Sequence, residues 1–287
     1  MLAFHLRLHV VIALFAFGGC AWLAGVRAPG TLALLAFAGV LALVAVIVAA
    51  SYAIARVSPL EGAMVEYAVT AWDYLAVLPF PGAWVARDAR EGTGPAVLLV
   101  HGYLCNRGAH WLLARRLRAA GFRVFAIDLE PVYAGIDAYV APLAARIDAV
   151  LAATGQRQLA VVCHSMGGLA LRACIAAHGG AKVAVGITLG TPHHGTRHAR
   201  LGLGENARQM AAGSAWFADL ERREAAAGRP PLVSICSRDD NIVAPQESSV
   251  LVGAENIEVR GIGHLALLCS APVAGHIVAA LRDHPPL

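Results

Sequence analysis

Charge is what this chain has least of. Only 15% of its 287 residues are Asp, Glu, Lys or Arg, against 58% hydrophobic, which is too apolar for an ordinary soluble domain of that length. The formal net charge of +4 comes from scattered arginines with no aromatic-basic face and no recognised motif, so the composition makes no case for a nucleic-acid partner. Six cysteines are present, none at the spacing of a disulfide framework or a zinc site. Cys163 and Cys236 fall inside apolar runs and read as small buried residues. No repeat with a period of about 20–50 residues occurs, which excludes solenoids and propellers. No low-complexity linker divides the chain.

The excess apolar sequence lies at the N-terminus. Val10 to Val26 is an uncharged apolar run, and Thr31 to Ala55 is a second. As a helix the second is about 37 Å long, enough to cross a hydrocarbon core with some tilt, while the first is at the lower limit of a span. Arg27-Ala-Pro-Gly30 separates them, so residues 1–56 are expected to form a transmembrane hairpin. A signal peptide is the competing reading of the first run. It is weakened by a thin basic region (Arg7 and the terminal amine) and by the lack of a small-x-small site before Pro29. Phe17-Gly-Gly-Cys20 is a poor lipoprotein box, since a bulky aromatic stands where a branched aliphatic is expected. Arg7 and Arg56 flank the hairpin and Arg27 sits in its turn; two against one favours both ends, and the domain beyond, in the cytoplasm.

Residues 57–94 form a connector. Leu60 to Leu78 carries Met64, Tyr67, Ala68, Ala71, Trp72 and Leu75 at helical spacing. Such a helix lies either at a lipid surface, where Trp and Tyr are favoured, or against the core of the next domain. Pro79-Phe-Pro-Gly82 ends it.

In residues 95–287 strands and helices alternate. Strands are expected at 96–100, 122–127, 158–163, 183–189, 231–236 and 256–260. Helices are expected near 107–120, 138–153, 166–178 and 270–282, with weaker ones between 205 and 225. Short apolar strands separated by helices imply an α/β domain with a mostly parallel sheet covered on both faces.

Leu159-Ala-Val-Val-Cys-His-Ser-Met-Gly-Gly168 reads as a strand, a sharp turn and a helix that would hold the Ser165 hydroxyl above the end of the sheet. Cys163 replaces the first glycine of the usual elbow; it is larger, yet small enough for a crowded turn. A serine needs a histidine to take its proton and an acid to orient that histidine. Downstream, in that order, come Asp240 in Ser237-Arg-Asp-Asp-Asn-Ile-Val-Ala-Pro245 and His264 in Gly261-Ile-Gly-His-Leu265. Asp239 is the alternative acid; Asp240 is preferred, standing before the apolar return Asn-Ile-Val. Upstream, Ala96-Val-Leu-Leu-Val-His-Gly102 is a buried strand entering a tight turn, which aims the Tyr103 N–H at a developing oxyanion beside the N–H of Met166. His101 is expected to support that loop, and His164 to point away from the nucleophile. The order Ser, Asp, His behind a His-Gly turn is that of an α/β-hydrolase fold.

His193, His194 and His198 invite a metal reading. Pro192 and Gly195 make theirs a loop, however, and no cysteine or carboxylate completes a set nearby. Gly190 to Pro231 is long enough for a small helical cap over the site. Met210, Trp216, Phe217 and Leu220 there either line an acyl pocket or form the core of that cap.

From about 95 to 282 the chain resembles the bacterial triacylglycerol lipases, particularly the small, nearly lidless Bacillus type. The resemblance rests on Val100-His-Gly102, His164-Ser-Met-Gly-Gly168, Asp240-Asn-Ile-Val243 and Asn256-Ile-Glu-Val-Arg-Gly-Ile-Gly-His-Leu-Ala-Leu-Leu268. Thr188-Leu-Gly-Thr-Pro-His-His-Gly-Thr196 is similar to a loop of larger bacterial lipases. The resemblance implies ester hydrolysis by Ser165, Asp240 and His264, with Met166 and Tyr103 as the oxyanion hole and no cofactor or metal. The partners it suggests are a lipid or small-molecule ester and, through the hairpin, the lipids of a bacterial inner membrane. Those lipases are secreted, so the hairpin departs from the pattern. An acyltransferase or thioesterase would use the same triad, and a catalytically idle binding module is the remaining alternative. Transport fails because two uncharged spans supply no intramembrane polar site. With the triad well beyond the hairpin, attachment and chemistry are expected to be separable.

Overall fold

The computed structural model describes residues 2–58, 62–88, 93–225 and 227–285, apart from the side chains at 4 and 5. The start of the expected connector helix at Leu60 and the outermost limits 1 and 287 lie outside the described residues.

Two antiparallel helices, α1 (Leu2–Leu23) and α2 (Pro29–Ala55), open the chain. The first begins and ends earlier than its apolar run, taking in Arg7, whose Nε donates to Pro79 O at 2.7 Å and whose guanidinium lies over the Phe80 ring. A basic residue can close the end of an apolar helix when its stem reaches out to a polar partner. Pro29, with no N–H to lose, starts α2. In α3 (Ala63–Trp72), Glu66 and Ala71 are buried, and one π-helical turn at Asp73–Val77 follows. The short α4 (Pro81–Trp84) then leads towards the sheet.

The α/β part runs β1 (Ala96–Val100), α5 (Trp111–Ala119), β2 (Arg123–Ile127), α6 (Val140–Thr154), β3 (Leu159–His164), α7 (Met166–His178) and β4 (Val183–Leu189). It continues through α8 (Glu205–Met210), α9 (Ala215–Ala225), β5 (Leu232–Ser237), β6 (Glu255–Val259) and α10 (Ala271–Asp283). All six strands pair in parallel in the order β2-β1-β3-β4-β5-β6. Each lies within one residue of its expected span. The expected helix over 107–120 divides into a 3-10 turn (Arg107–His110) and α5.

Alternate strand residues face opposite sides, as the two-residue period requires. Leu98, Val100, Val161 and Cys163 join Leu143, Ile147 and Leu169 in one core layer. Val97, Leu99, Val162 and Ile187 join Leu113, Leu117, Val273 and Ile277 in the other. Met210, Trp216, Phe217 and Leu220 belong to the first layer, and the Trp216 indole donates to Asp137 Oδ2 at 2.7 Å. Of the two readings for these four, core is the observed one. The carboxyl ends of β3, β4 and β5 and the loop after β6 meet at one edge of the sheet, where open α/β folds gather their ligands.

Candidate active site

Ser165 sits between β3 and α7 at φ 53°, ψ −126°, a region that non-glycine residues occupy only when their surroundings force them. Its N–H donates to Leu189 O, and its carbonyl accepts from Thr191 Oγ1 and from Gly168 N. The glycines around it are required by space. A Cβ on Gly167 would stand 2.7 Å from the carbonyl oxygens of Val100 and His101, and one on Gly168 would stand 2.2 Å from Thr191 Oγ1. Cys163, where the usual motif has glycine, turns its side chain into the core layer and is fully buried; burial pushes its thiol well above the ordinary range.

His264 lies in the loop after β6, and its Nδ1 is 2.8 Å from Asp240 Oδ2. The other oxygen of Asp240 accepts the N–H groups of Ile242 and Val243, at 2.8 and 2.7 Å. Asp239 instead accepts the Gly261 N–H at 2.6 Å, so of the two acids Asp240 is the one facing the imidazole. Exposure is 0% for Asp240, 4% for His264 and 7% for Ser165. Burial by itself lowers the His264 pKa, but the neighbouring Asp240 carboxylate and Glu66 outweigh it and leave the imidazole above its usual value.

The β1 loop presses on this serine. A Cβ on Gly102 would lie 2.7 Å from Ser165 Cβ, so only glycine lets the chain pass and carry Tyr103 alongside. Met166 is the first residue of α7, where backbone N–H groups lack helical partners and the helix dipole is positive. The Tyr103 hydroxyl exchanges hydrogen bonds with the backbone of Leu203, donating to its O and accepting from its N–H, both at 2.9 Å. That fastens the cap segment to the β1 loop.

His101 Nε2 accepts the Leu129 N–H at 2.8 Å, so its proton is on Nδ1 and goes to Gly102 O. It braces the loop, and burial lowers its pKa. The His164 ring packs 4.6 Å from the His264 ring, and its Nε2 meets the His264 carbonyl at 3.1 Å. Burial holds its pKa well below the ordinary value. His193, His194 and His198 take separate partners: Thr188 and Ser234, the carbonyl of Val250, and the carbonyl of Ser51. They converge on no common point.

Three residues of this site lie outside the sequence reading. Asn241 Oδ1 accepts the backbone N–H of His264, while its Nδ2 donates to Ser51 Oγ in α2. Glu66 of α3 accepts the N–H groups of Leu265 and Ala266. The hairpin and connector are thus bonded to the histidine loop rather than merely leading to it. The signal available in the sequence was a lone acid within Ala63-Met-Val-Glu-Tyr-Ala-Val69, which names no partner.

Residues 95–224 match the family described as the alpha/beta hydrolase fold. A triacylglycerol lipase from Burkholderia plantarii is 33% identical over 143 residues, which span 44% of this chain and 40% of that protein. The match therefore covers well under half of that relative's length. Among solved structures, the mature form of the Bacillus licheniformis lipase BlEst2 superposes with a TM-score of 0.59 at 17% identity, covering 71% of this chain and 97% of that one. Aspergillus fumigatus lipase B does so with a TM-score of 0.61 at 20% identity, covering 74% and 59%. At these identities the structural likeness is one of fold.

Proposed function

The chain carries an α/β-hydrolase fold, and on that premise we propose a membrane-anchored serine hydrolase that cleaves carboxylic esters, lipid acyl esters foremost, through an acyl-enzyme on Ser165. What carries the reading is the 2.8 Å pairing of His264 Nδ1 with Asp240 Oδ2, beside a serine held at φ 53°. With Nδ1 committed to the carboxylate, Nε2 is the nitrogen that takes the Ser165 proton as Oγ attacks the acyl carbonyl. The N–H groups of Met166 and Tyr103, with the positive end of α7, receive the charge that develops on the carbonyl oxygen. His264 then returns its proton to the leaving alkoxide, and water resolves the acyl-enzyme by the same steps in reverse order.

The anchor is α1 and α2. At 27 residues, α2 is about 40 Å long against a hydrocarbon core of about 30 Å, so its last turns project beyond the lipid. In those turns Ser51, Tyr52 and Ala55 are buried, with Ser51 bonded to Asn241 and Ala55 O facing Gln246. Arg7 and Arg56 lie at the hydrolase end of the hairpin and Arg27 at the other, an asymmetry that supports a cytoplasmic domain under the positive-inside rule. Lipid esters are favoured because Leu201 and Leu203 are exposed on the segment that touches both α2, through His198 and Ser51, and Tyr103. Two exposed leucines thus lie on the segment that joins the hairpin to the Tyr103 loop.

The test is a chain-length series of p-nitrophenyl esters on the purified full chain, with a competing alcohol in parallel. Release of free acid as the main product supports hydrolysis. Dominant transfer to the alcohol would make the protein an acyltransferase.

A further inference from the structure

The backbone around His264 is tied down by side chains rather than by secondary structure. Three successive N–H groups, at residues 264, 265 and 266, are taken by Asn241 Oδ1 at 2.9 Å, Glu66 Oε1 at 3.0 Å and Glu66 Oε2 at 2.9 Å. The last two open the 3-10 turn Ala266–Leu268, where N–H groups have no partner within the turn. Glu66 is itself 1% exposed, and a carboxylate is not buried at that depth without a compensating role. The approach is close enough to dictate sequence on the other side: a Cβ on Gly263 would stand 2.5 Å from Glu66 Oε2 and 2.9 Å from Glu66 Cβ.

We propose that Glu66 is a positioning residue for the base of the reaction: its two oxygens fix the chain immediately after His264, and its charge faces the imidazolium that forms during turnover. The proposal rests on the function proposed above. It makes the connector helix part of the catalytic apparatus, so that a domain resembling free-standing lipases here depends on a residue from outside the sheet. The charge acts in the same sense as Asp240, since Glu66 is among the groups that raise the His264 pKa. Burial raises the carboxyl's own pKa above its ordinary value, with the two amide donors opposing that rise. Losing such an outer partner of a reacting side chain costs about 10- to 100-fold in related settings.

Glu66→Gln keeps the shape but removes the charge and turns an NH₂ towards one of the two N–H donors. Glu66→Asp keeps the charge and withdraws it by one methylene. Both are made in the full chain in detergent micelles and read in two ways: the pH dependence of fluorophosphonate labelling of Ser165, and the titration of the His264 ring by NMR, which needs no turnover. If esters are not substrates, the proposed function fails while the NMR titration still reads Glu66. The expected result for Glu66→Gln is labelling slowed at least tenfold, with both the acid limb of labelling and the ring titration moved to lower pH. Glu66→Asp should slow labelling while the titration stays nearer the native position. Either variant suffices if the other does not fold. A Glu66→Gln protein that loses thermal stability but keeps the native titration, or a Glu66→Asp protein that labels at the native rate, would overturn the proposal.

Discussion

Ser51, near the end of the longer apolar helix, accepts a 2.7 Å hydrogen bond from Asn241, 190 positions later in the chain. Asn241 neighbours Asp240 and holds the N–H of His264, so the helix end and the Asp240–His264 pair share one amide side chain. Gln246 adds a second link, with its Nε2 3.0 Å from Asp240 O and 3.5 Å from Ala55 O. The expectation that attachment and chemistry are separable meets a physical obstacle here: the atoms that hold the end of α2 also hold the histidine loop.

Ser51→Ala leaves Asn241 Nδ2 buried without its acceptor, which costs on the order of 1–3 kcal/mol. The expected outcome is a lower Tm together with a several-fold loss of kcat/KM on a short soluble ester. A chain beginning at Gly82 loses Ser51 and Glu66 together. It is expected to lose soluble-ester activity as well as membrane attachment; the comparison is kcat/KM at matched folded concentration. Equal values would show that the two are separable after all.

The paired acids give a second contrast. Asp240→Asn removes the group that sets the His264 tautomer, and activity should fall by about 10⁴-fold. Asp239→Asn disturbs only the acceptor of the Gly261 N–H and should stay within about tenfold, the size of one hydrogen bond. Steady-state kinetics on both variants decide it, and the reverse ranking would move the acid to Asp239.

Asp73, in the π-helical turn, is fully buried beside the Trp111 indole. Burial raises its pKa from 3.8 to about 8. The folded chain therefore holds a proton that the unfolded chain has released. The associated stability is full below about pH 4 and is lost as pH rises through about 8. Asp73→Asn should flatten the fall in Tm between pH 5 and pH 8, measured in one detergent at constant ionic strength. An undiminished slope would show that other groups produce it.

Arg172 of α7 meets Glu224 of α9 through two hydrogen bonds, of 2.9 and 2.7 Å, with both side chains nearly inaccessible. Glu224→Gln strands a buried guanidinium and should cost about 3 kcal/mol, whereas replacing both residues by methionine should cost less than that single change. Chemical unfolding of the two proteins gives the comparison. Because Arg172 also donates to His193 O, the single variant should loosen the Thr191–Gly195 loop behind the serine as well.

The sheet was legible because its signal is local. Runs such as Ala96–Val100 and Leu159–Cys163 are apolar throughout, and tight turns announce their ends. That Ser165, Asp240 and His264 would stand at or just beyond strand ends was legible because the apolar runs and turns beside them are local signals; their roles remain part of the proposal. Glu66 and Ser51 were not legible, since each finds its partner some 190 to 200 positions away; a lone polar residue in an apolar helix announces burial without saying against what. The same holds for His164, whose placement against His264 depends on the end of β3 meeting the loop after β6 across 100 positions.

The central claim, that Ser165 is the nucleophile, is tested most directly by treating the full chain with a fluorophosphonate and locating the adduct by peptide mass spectrometry. The account predicts one adduct, on Ser165, that is absent from Ser165→Ala and greatly slowed in a His264→Ala protein. Labelling of Ser165→Ala at the native rate, or an adduct on another residue of the native chain, would contradict it.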